Sequence, residues 1–409
     1  MANINNKKLV IFGAGKIGRS FIGQLFSRGG YEVVFIDNYR PVIDELNRRG
    51  NYRLIIKSEK EEVIPISNVR GVYSGQEQDV TGEIASAGIL AVSVGQAGLP
   101  GIMPMISRGL MMRFALDKTA RLDIIIAENL RNAAEYFKVA LKKFLPPEYP
   151  MEKMVGLVET SIGKMVPIML KKDIEEDILQ IFAEPYNTLI LDKKAFKNPI
   201  PVIDGLAPKE NMKAWVDRKL FIHNLGHATA AYLGYIHNPG FIFLYEALAN
   251  ADIYRDVRYT MLQAADILLK KYPDEFTIKS LTDHIDDLLF RFQNKALGDT
   301  IFRVGCDLKR KLAPEDRLSG AIRLAVELEL PYDRILYSLV CGFHFRQIDE
   351  SGQMFPDDRD FVALYNKKGI IYILGELCGF NPILYPEVFS EASTIDKEIA
   401  DLVNRHNHP

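Results

Sequence analysis

The sequence predicts an α/β fold, a doubly wound and mostly parallel sheet wrapped by helices, followed by a second, all-α domain. Three observations carry this: spaced, nearly continuous apolar runs in the first half, a glycine-rich turn directly after the first run, and helical periodicity beyond about residue 209. At 409 residues the chain exceeds an ordinary single domain and suits two, each able to bury a core.

In order, the runs are KLVIFG from Lys8, YEVVFID from Tyr31, GILAVSVG from Gly88, LDIIIAEN from Leu122 and VGLVETS from Val155. They are continuous rather than alternating, which is the pattern of parallel strands covered on both faces. Between the second and third lies YRLIIKSEKEEVIPI, two strand-like pieces around a charged turn at Ser58 to Glu61, read as a hairpin insertion. LQIFAEPYNTLILD, residues 179–192, adds antiparallel edge strands in this reading. The composition then changes at NPIPVIDGLAP, residues 198–208, a connector that places the boundary between domains 1–200 and 201–409. Beyond it, stretches such as KAWVDRKLFIHNLGHATAAYLGYI and PYDRILYSLVCGFHF carry helical spacing only.

Composition narrows the function classes. The net charge is −2, from 53 acidic and 51 basic residues, so no global field draws nucleic acid or an anionic membrane, and a small-molecule partner is expected. No apolar stretch approaches the roughly 20 residues of a membrane span, and the N-terminal apolar run is too short for a signal peptide. A cytoplasmic location is expected, and a monomer is compatible with the sequence. Cys306, Cys341 and Cys378 lie far apart with no ligand spacing, so neither a disulfide framework nor a metal site is expected.

Gly13-Ala14-Gly15-Lys16-Ile17-Gly18 follows a predicted strand and opens a predicted helix, the context a G-x-G-x-x-G match requires. Gly13 allows the tight turn, Gly15 lets backbone approach a pyrophosphate, and Gly18 lets helix and strand pack closely. The helix N-terminus presents unpaired N–H groups to the phosphates. Asp37 ends the second run about 24 positions after Gly13, where a carboxylate accepts from the adenosine ribose and repels a 2′-phosphate. The reading is therefore a Rossmann-type site for NAD rather than NADP, although the nearby Arg40 leaves NADP open. SVGQAG, with Gly95, ends another apolar strand on the same carboxyl edge, where ligands of doubly wound sheets sit.

A nicotinamide site implies hydride transfer, which needs a group to move a hydroxyl proton and donors for an alkoxide-like oxygen. The zinc route lacks its Cys/His cluster, and Tyr31, Tyr39, Tyr52 and Tyr136 lack the lysine four residues on that a Tyr-x-x-x-Lys base requires. The second half offers Lys219, Asn224 and His227 in KLFIHNLGH. On an ideal helix Asn224 lies roughly 140° and His227 roughly 80° around from Lys219, so all three can face one cleft. A lysine in a partly apolar cleft has its ammonium destabilised toward the range of a working base. Spacing alone fits equally well a snorkelling lysine, a solvated amide and a satisfied core histidine.

Lys219-x4-Asn224-x2-His227 resembles the catalytic signature of the polyol-specific long-chain dehydrogenases, the mannitol dehydrogenase family, and RKLFIHNLGHATAAYLG is most similar to the branch acting on mannitol 1-phosphate. IFGAGKIGRSFIG, AENL and RVGCDLKRKLAPEDRL extend the resemblance over essentially the whole chain. It implies that Lys219 is the general base, that Asn224 and Asn129 of Glu128-Asn129 stabilise an oxyanion, and that His227 orients substrate, with no metal. It further implies that Arg303 and Lys311, with Arg310 beside them, line the substrate pocket, where cations hold a phosphate. For Arg310 a solvated basic face fits as well. The implied reaction is NAD-dependent interconversion of mannitol 1-phosphate and fructose 6-phosphate; reduction of fructuronate or tagaturonate, and oxidation of free mannitol, are the alternatives. Gly163-Lys164 and His223 depart from the family pattern near the expected site and bear on the substrate, while His344 in CGFHFR reads as structural. A non-catalytic NAD sensor would keep the glycines and Asp37 without Lys219, Asn224 and His227; their joint presence argues against it.

Overall fold

The computed structural model describes residues 4–58 and 60–407, so Glu59 of the charged turn lies outside the described residues. The chain divides into two compact units, Met1–Trp215 and Val216–Pro409.

In the first unit the apolar runs form β1 (Asn5–Phe12) and β2 (Glu32–Asp37), with β3 (Asn51–Ile56), β4 (Glu62–Ser67) and β5 (Val69–Tyr73) following. Then come β6 (Ala87–Val92), β7 (Leu122–Ile126), β8 (Val155–Ser161), β9 (Ile181–Ala183), β10 (Leu189–Asp192) and β11 (Leu206–Lys209). Eight of these make one sheet in the order β11-β10-β8-β7-β6-β1-β2-β5. Register aligns Val34, Val10, Leu90 and Ile124 in one row across β2, β1, β6 and β7, with Val33, Leu9 and Ile89 in the adjacent row. The rows face opposite sides and belong to two separate apolar clusters, so helices cover both faces as continuous hydrophobic runs require. Each fully buried aliphatic side chain contributes about 1.5–3 kcal/mol by leaving water. β1 is flanked by β2 on one side and β6 on the other, all parallel, so the switch point lies between β1 and β6.

The hairpin forms as expected, Leu54 opposite Ile64, but inside a separate three-stranded sheet, β4-β3-β9. The expectation of antiparallel edge strands over 179–192 is corrected in part. β9 pairs parallel to β3, and β10 pairs antiparallel to β8 but is itself covered by parallel β11, which forms the edge. β11 begins inside the stretch read as connector: its sequence LAPK is short, and its Pro208 is tolerated because an edge strand need not donate on both sides. β5, VRGVY, also escaped the apolar-run criterion, since Arg and Gly interrupt it.

Among the described residues of the second unit every regular element is a helix. Helix Ala251–Lys271 is capped by the Asn250 side chain, which accepts from the Asp252 and Ile253 amides at 3.0 and 3.2 Å. Helix Ile278–Phe292 is capped by Thr277 and buries Leu281, Ile285, Leu288, Leu289 and Phe292 along one stripe. Residues 212–237 are helical throughout, and at Gly226 a Cβ would meet the Met261 sulfur at 2.5 Å, so this helix packs tightly on Ala251–Lys271. No helix among the described residues is long and apolar enough to cross a membrane.

Candidate active site

The turn after β1 is built around two close approaches. Gly13 has φ 100°, and a Cβ there would meet the Ser93 carbonyl oxygen at 2.4 Å; a Cβ on Gly18 would meet the Gly13 carbonyl oxygen at 2.0 Å. Gly15 differs: nothing lies within 4 Å of its Cβ position, and the residue is exposed. It has the open space above a helix start that a pyrophosphate requires. Ala14 is buried, and Ile17 packs against the core cluster beneath the sheet. Asp37 accepts from the Ala14 amide at 2.7 Å through Oδ2 and from the Tyr39 amide at 2.9 Å through Oδ1. A carboxylate has about four acceptor sites, so capacity remains for ribose hydroxyls. Arg40 lies over the Tyr73 ring, 4.2 Å from its centroid. These residues fit a dinucleotide.

On the loop after β6, the Val94 and Gly95 amides donate to Glu128 Oε1 at 2.7 and 2.9 Å, and Gln96 donates to the Asn129 carbonyl at 2.7 Å. The structure thus gives the Gly95 amide a partner within the protein. Burial raises the Glu128 pKa against those two hydrogen bonds. Asn129 itself is exposed. Lys164, which departs from the family pattern, is buried in this unit and donates to the Tyr186 carbonyl at 2.8 Å and Asn187 Oδ1 at 3.2 Å.

In the second unit Lys219–Asn224 is a π-helical segment between helices Met212–Arg218 and Leu225–His237. A π turn bonds i to i+5, which brings residue 224 closer to the face of residue 219 than α-helical angles give. Lys219 and Asn224 are half-buried. Burial, reinforced by the Arg317 guanidinium, pulls Lys219 down to about 8. Arg317 is buried, held by Asp316 at 2.8 Å, and its Nη1 donates to the Asn224 carbonyl at 3.4 Å.

His227 stacks on Phe292 with centroids 4.6 Å apart and places Nε2 3.1 Å from Asp299 Oδ2. Burial, then the Arg303 and Lys311 cations, hold its pKa well below the usual imidazole range, so it is neutral near pH 7. His223 is buried at the edge of the same aromatic group, 5.6 Å from Phe292 and 6.1 Å from His227 by centroid. Arg303 pairs with the other oxygen of Asp299, and Arg310 pairs with Asp307. Lys311 is buried and donates to the Val304 carbonyl at 2.7 Å and to that of Cys306; burial and Arg317 bring it down to about 7. His344 meets Asp396 at 2.8 Å and Tyr365 at 3.1 Å, a buried clamp between helices in keeping with its structural reading. Cys341 and Cys378 are buried thiols and Cys306 is half-buried.

Asp299 and Phe292 are the residues that sequence reasoning missed, and Arg317, inside the RVGCDLKRKLAPEDRL stretch, had no role assigned to it. Each reaches the His227 helix from far along the chain, and no spacing rule connects them to it.

A nucleotide-binding Rossmann unit followed by a helical unit that carries a lysine of lowered pKa beside an amide and a neutral histidine defines an oxidoreductase of the two-domain dehydrogenase class. The mannitol dehydrogenase Rossmann domain matches residues 7–205, and the mannitol dehydrogenase C-terminal domain matches residues 211–372. The chain belongs to the mannitol dehydrogenase family, the polyol dehydrogenases. Its fold is similar to that of Pseudomonas fluorescens mannitol 2-dehydrogenase in a ternary complex with NAD and D-mannitol, at TM-score 0.73 and 16% identity over 100% of this chain and 96% of that one. D-sorbitol dehydrogenase in substrate-free form matches at TM-score 0.78 and 16% identity, over 99% and 93% of the two chains.

Proposed function

We propose that this protein interconverts mannitol 1-phosphate and fructose 6-phosphate with NAD, using Lys219 as general base. The observation that carries the proposal is the half-buried Lys219 amine, at about 8, on the π turn that brings Asn224 toward its face. When bound, NAD would serve as hydride acceptor for the carbinol carbon in the oxidation, and NADH as hydride donor to C2 of the ketose in the reduction. Lys219 accepts the hydroxyl proton during oxidation and gives it back during reduction. The Asn224 amide donates to the developing alkoxide. Neutral His227 orients a substrate hydroxyl, and the Arg303 and Arg310 guanidiniums, joined by Lys311 when it is protonated below about 7, supply positive charge for the phosphate. Asp37 with Gly13, Ala14, Gly15, Ile17 and Gly18 would hold the cofactor, with Gly95 on the neighbouring loop. The carboxylate favours NAD over NADP.

Lys219→Ala is expected to lower turnover by about 100-fold or more, with NADH affinity within twofold of wild type. Wild-type turnover in that variant contradicts the assignment. A second reading has a specific observation in its favour: Arg303 and Arg310 are already paired with Asp299 and Asp307, so an unphosphorylated polyol would leave neither cation unbalanced. The neighbours named for mannitol and sorbitol point the same way. Initial rates with NADH and fructose 6-phosphate, fructose, fructuronate or tagaturonate separate these readings. Preference for fructose 6-phosphate supports the proposal, and turnover of fructose or a uronate alone overturns its phosphate part.

A further inference from the structure

Asp299 is nearly inaccessible, with its side chain 4% exposed, and is fixed from both sides by backbone. Its carbonyl accepts from the Leu244 amide at 2.9 Å, and the next residue caps helix Ile301–Gly305 by accepting from the Arg303 amide at 3.1 Å. The carboxylate therefore has little freedom, and its two oxygens go to two different side chains: Oδ2 to His227 Nε2 and Oδ1 to the Arg303 guanidinium. A carboxylate is acceptor-only when ionised, so Nε2 must carry the hydrogen and Nδ1 must present a lone pair. The Phe292 ring stacked on His227 fixes the remaining rotation of the imidazole. Arg303 is half-exposed and has five N–H donors; the contact with Asp299 fixes its direction and leaves donors for a ligand.

We propose that Asp299 is a positioning residue for substrate: one buried carboxylate sets both the tautomer of His227 and the direction of Arg303, coupling hydroxyl recognition to anion recognition. This rests on the polyol dehydrogenase reading above for its kinetic consequence, but not for the tautomer. Asn at 299 keeps the shape and replaces one acceptor by a donor. With the amide oxygen toward Arg303, the NH2 faces His227 and forces the hydrogen onto Nδ1; with the amide reversed, the pairing with Arg303 is lost.

The test compares the wild-type chain with Asp299→Asn and Asp299→Glu. In Asp299→Asn the KM for fructose 6-phosphate, or for whichever ketose the wild type reduces, should rise about tenfold or more, while the KM for NADH stays within twofold. Asp299→Glu keeps the charge and should recover part of that loss. Independently of turnover, ¹⁵N NMR of the His227 ring should show Nε2–H in the wild type and a changed tautomer population in Asp299→Asn. A wild-type ring protonated at Nδ1, or an unchanged ketose KM in a variant that only melts earlier, overturns the proposal. If the wild type reduces no ketose but its ring is Nε2–H and changes in Asp299→Asn, the function proposal has failed and the positioning of His227 stands.

Discussion

Lys219 and Arg317 together set the pH range of the proposed chemistry. The amine must be neutral to take a proton, so polyol oxidation is expected to rise with pH through about 8, and ketose reduction, which needs the ammonium, to fall over the same range. Removing the Arg317 cation relieves part of the repulsion that lowers Lys219, so Arg317→Gln should move both limbs to higher pH; pH–rate profiles in the two directions check this, and an unmoved midpoint contradicts it. The same shift bears on stability. A lysine lowered from 10.5 binds its proton less well in the folded than in the unfolded chain, so its contribution to stability improves as pH rises from about 8 to about 10.5, and at pH 7 the buried ammonium is a net cost. Lys219→Met should therefore stabilise the protein at pH 7 by on the order of 2 kcal/mol while abolishing turnover, a gain measurable as a rise in Tm that shrinks as pH rises from about 8 to about 10.5. Lys219, Asn224 and His227 were legible because they lie within nine residues with a recognisable spacing. Asp299 was not: it meets the helix from 72 positions away, and a lone acid at that separation has no sequence signal; Arg317, 93 positions away, lay inside the RVGCDLKRKLAPEDRL resemblance but no spacing tied it to Asn224.

The strand–turn–helix at the start of the chain gives three glycines two different reasons to be glycine. Gly13→Ala and Gly18→Ala each drive a Cβ into backbone oxygen, at 2.4 and 2.0 Å, so both should lower Tm and NADH affinity together. Gly15→Ala adds its methyl to open space, so the Tm should hold while NADH affinity falls about tenfold or more. Thermal melts beside NADH titrations distinguish the two outcomes, and an unaffected affinity in Gly15→Ala would place the pyrophosphate elsewhere. The elements themselves were legible to unequal degrees. β1, β2, β6, β7 and β8 are written as apolar runs because both of their faces are buried, whereas β5 and β11 are short and carry Arg, Gly or Pro, and owe their conformation to pairing with β2 and β10. The π segment at Lys219–Asn224 was invisible for a different reason: one extra residue in a turn does not disturb an apolar stripe enough to be read, yet it changes which side chains share a face.

At the scale of the whole molecule, the first unit carries its own apolar interior. The sheet of the first unit carries an apolar cluster on both faces, and its edge strand β11 comes from the last residues before the division of the chain. Trp215, the single tryptophan, is tied to this unit through its carbonyl, which accepts from Ser161 Oγ at 3.1 Å, and through Lys209, which lies 4.0 Å from the centroid of its ring. A unit of this size buries roughly 70% of the surface its unfolded chain exposes, enough for an independent core. A chain ending at Trp215 is therefore expected to fold cooperatively and to bind NADH within about tenfold of the affinity of the whole protein, because Gly13, Gly15, Gly18 and Asp37 are all inside it. It should have no turnover, because Lys219, Asn224 and His227 are not. Circular dichroism melts establish folding, and energy transfer from Trp215 to NADH reports binding. A folded piece that fails to bind NADH would show that the glycine-rich turn and Asp37 do not make the cofactor site by themselves, and would move part of the cofactor's recognition to residues beyond Trp215.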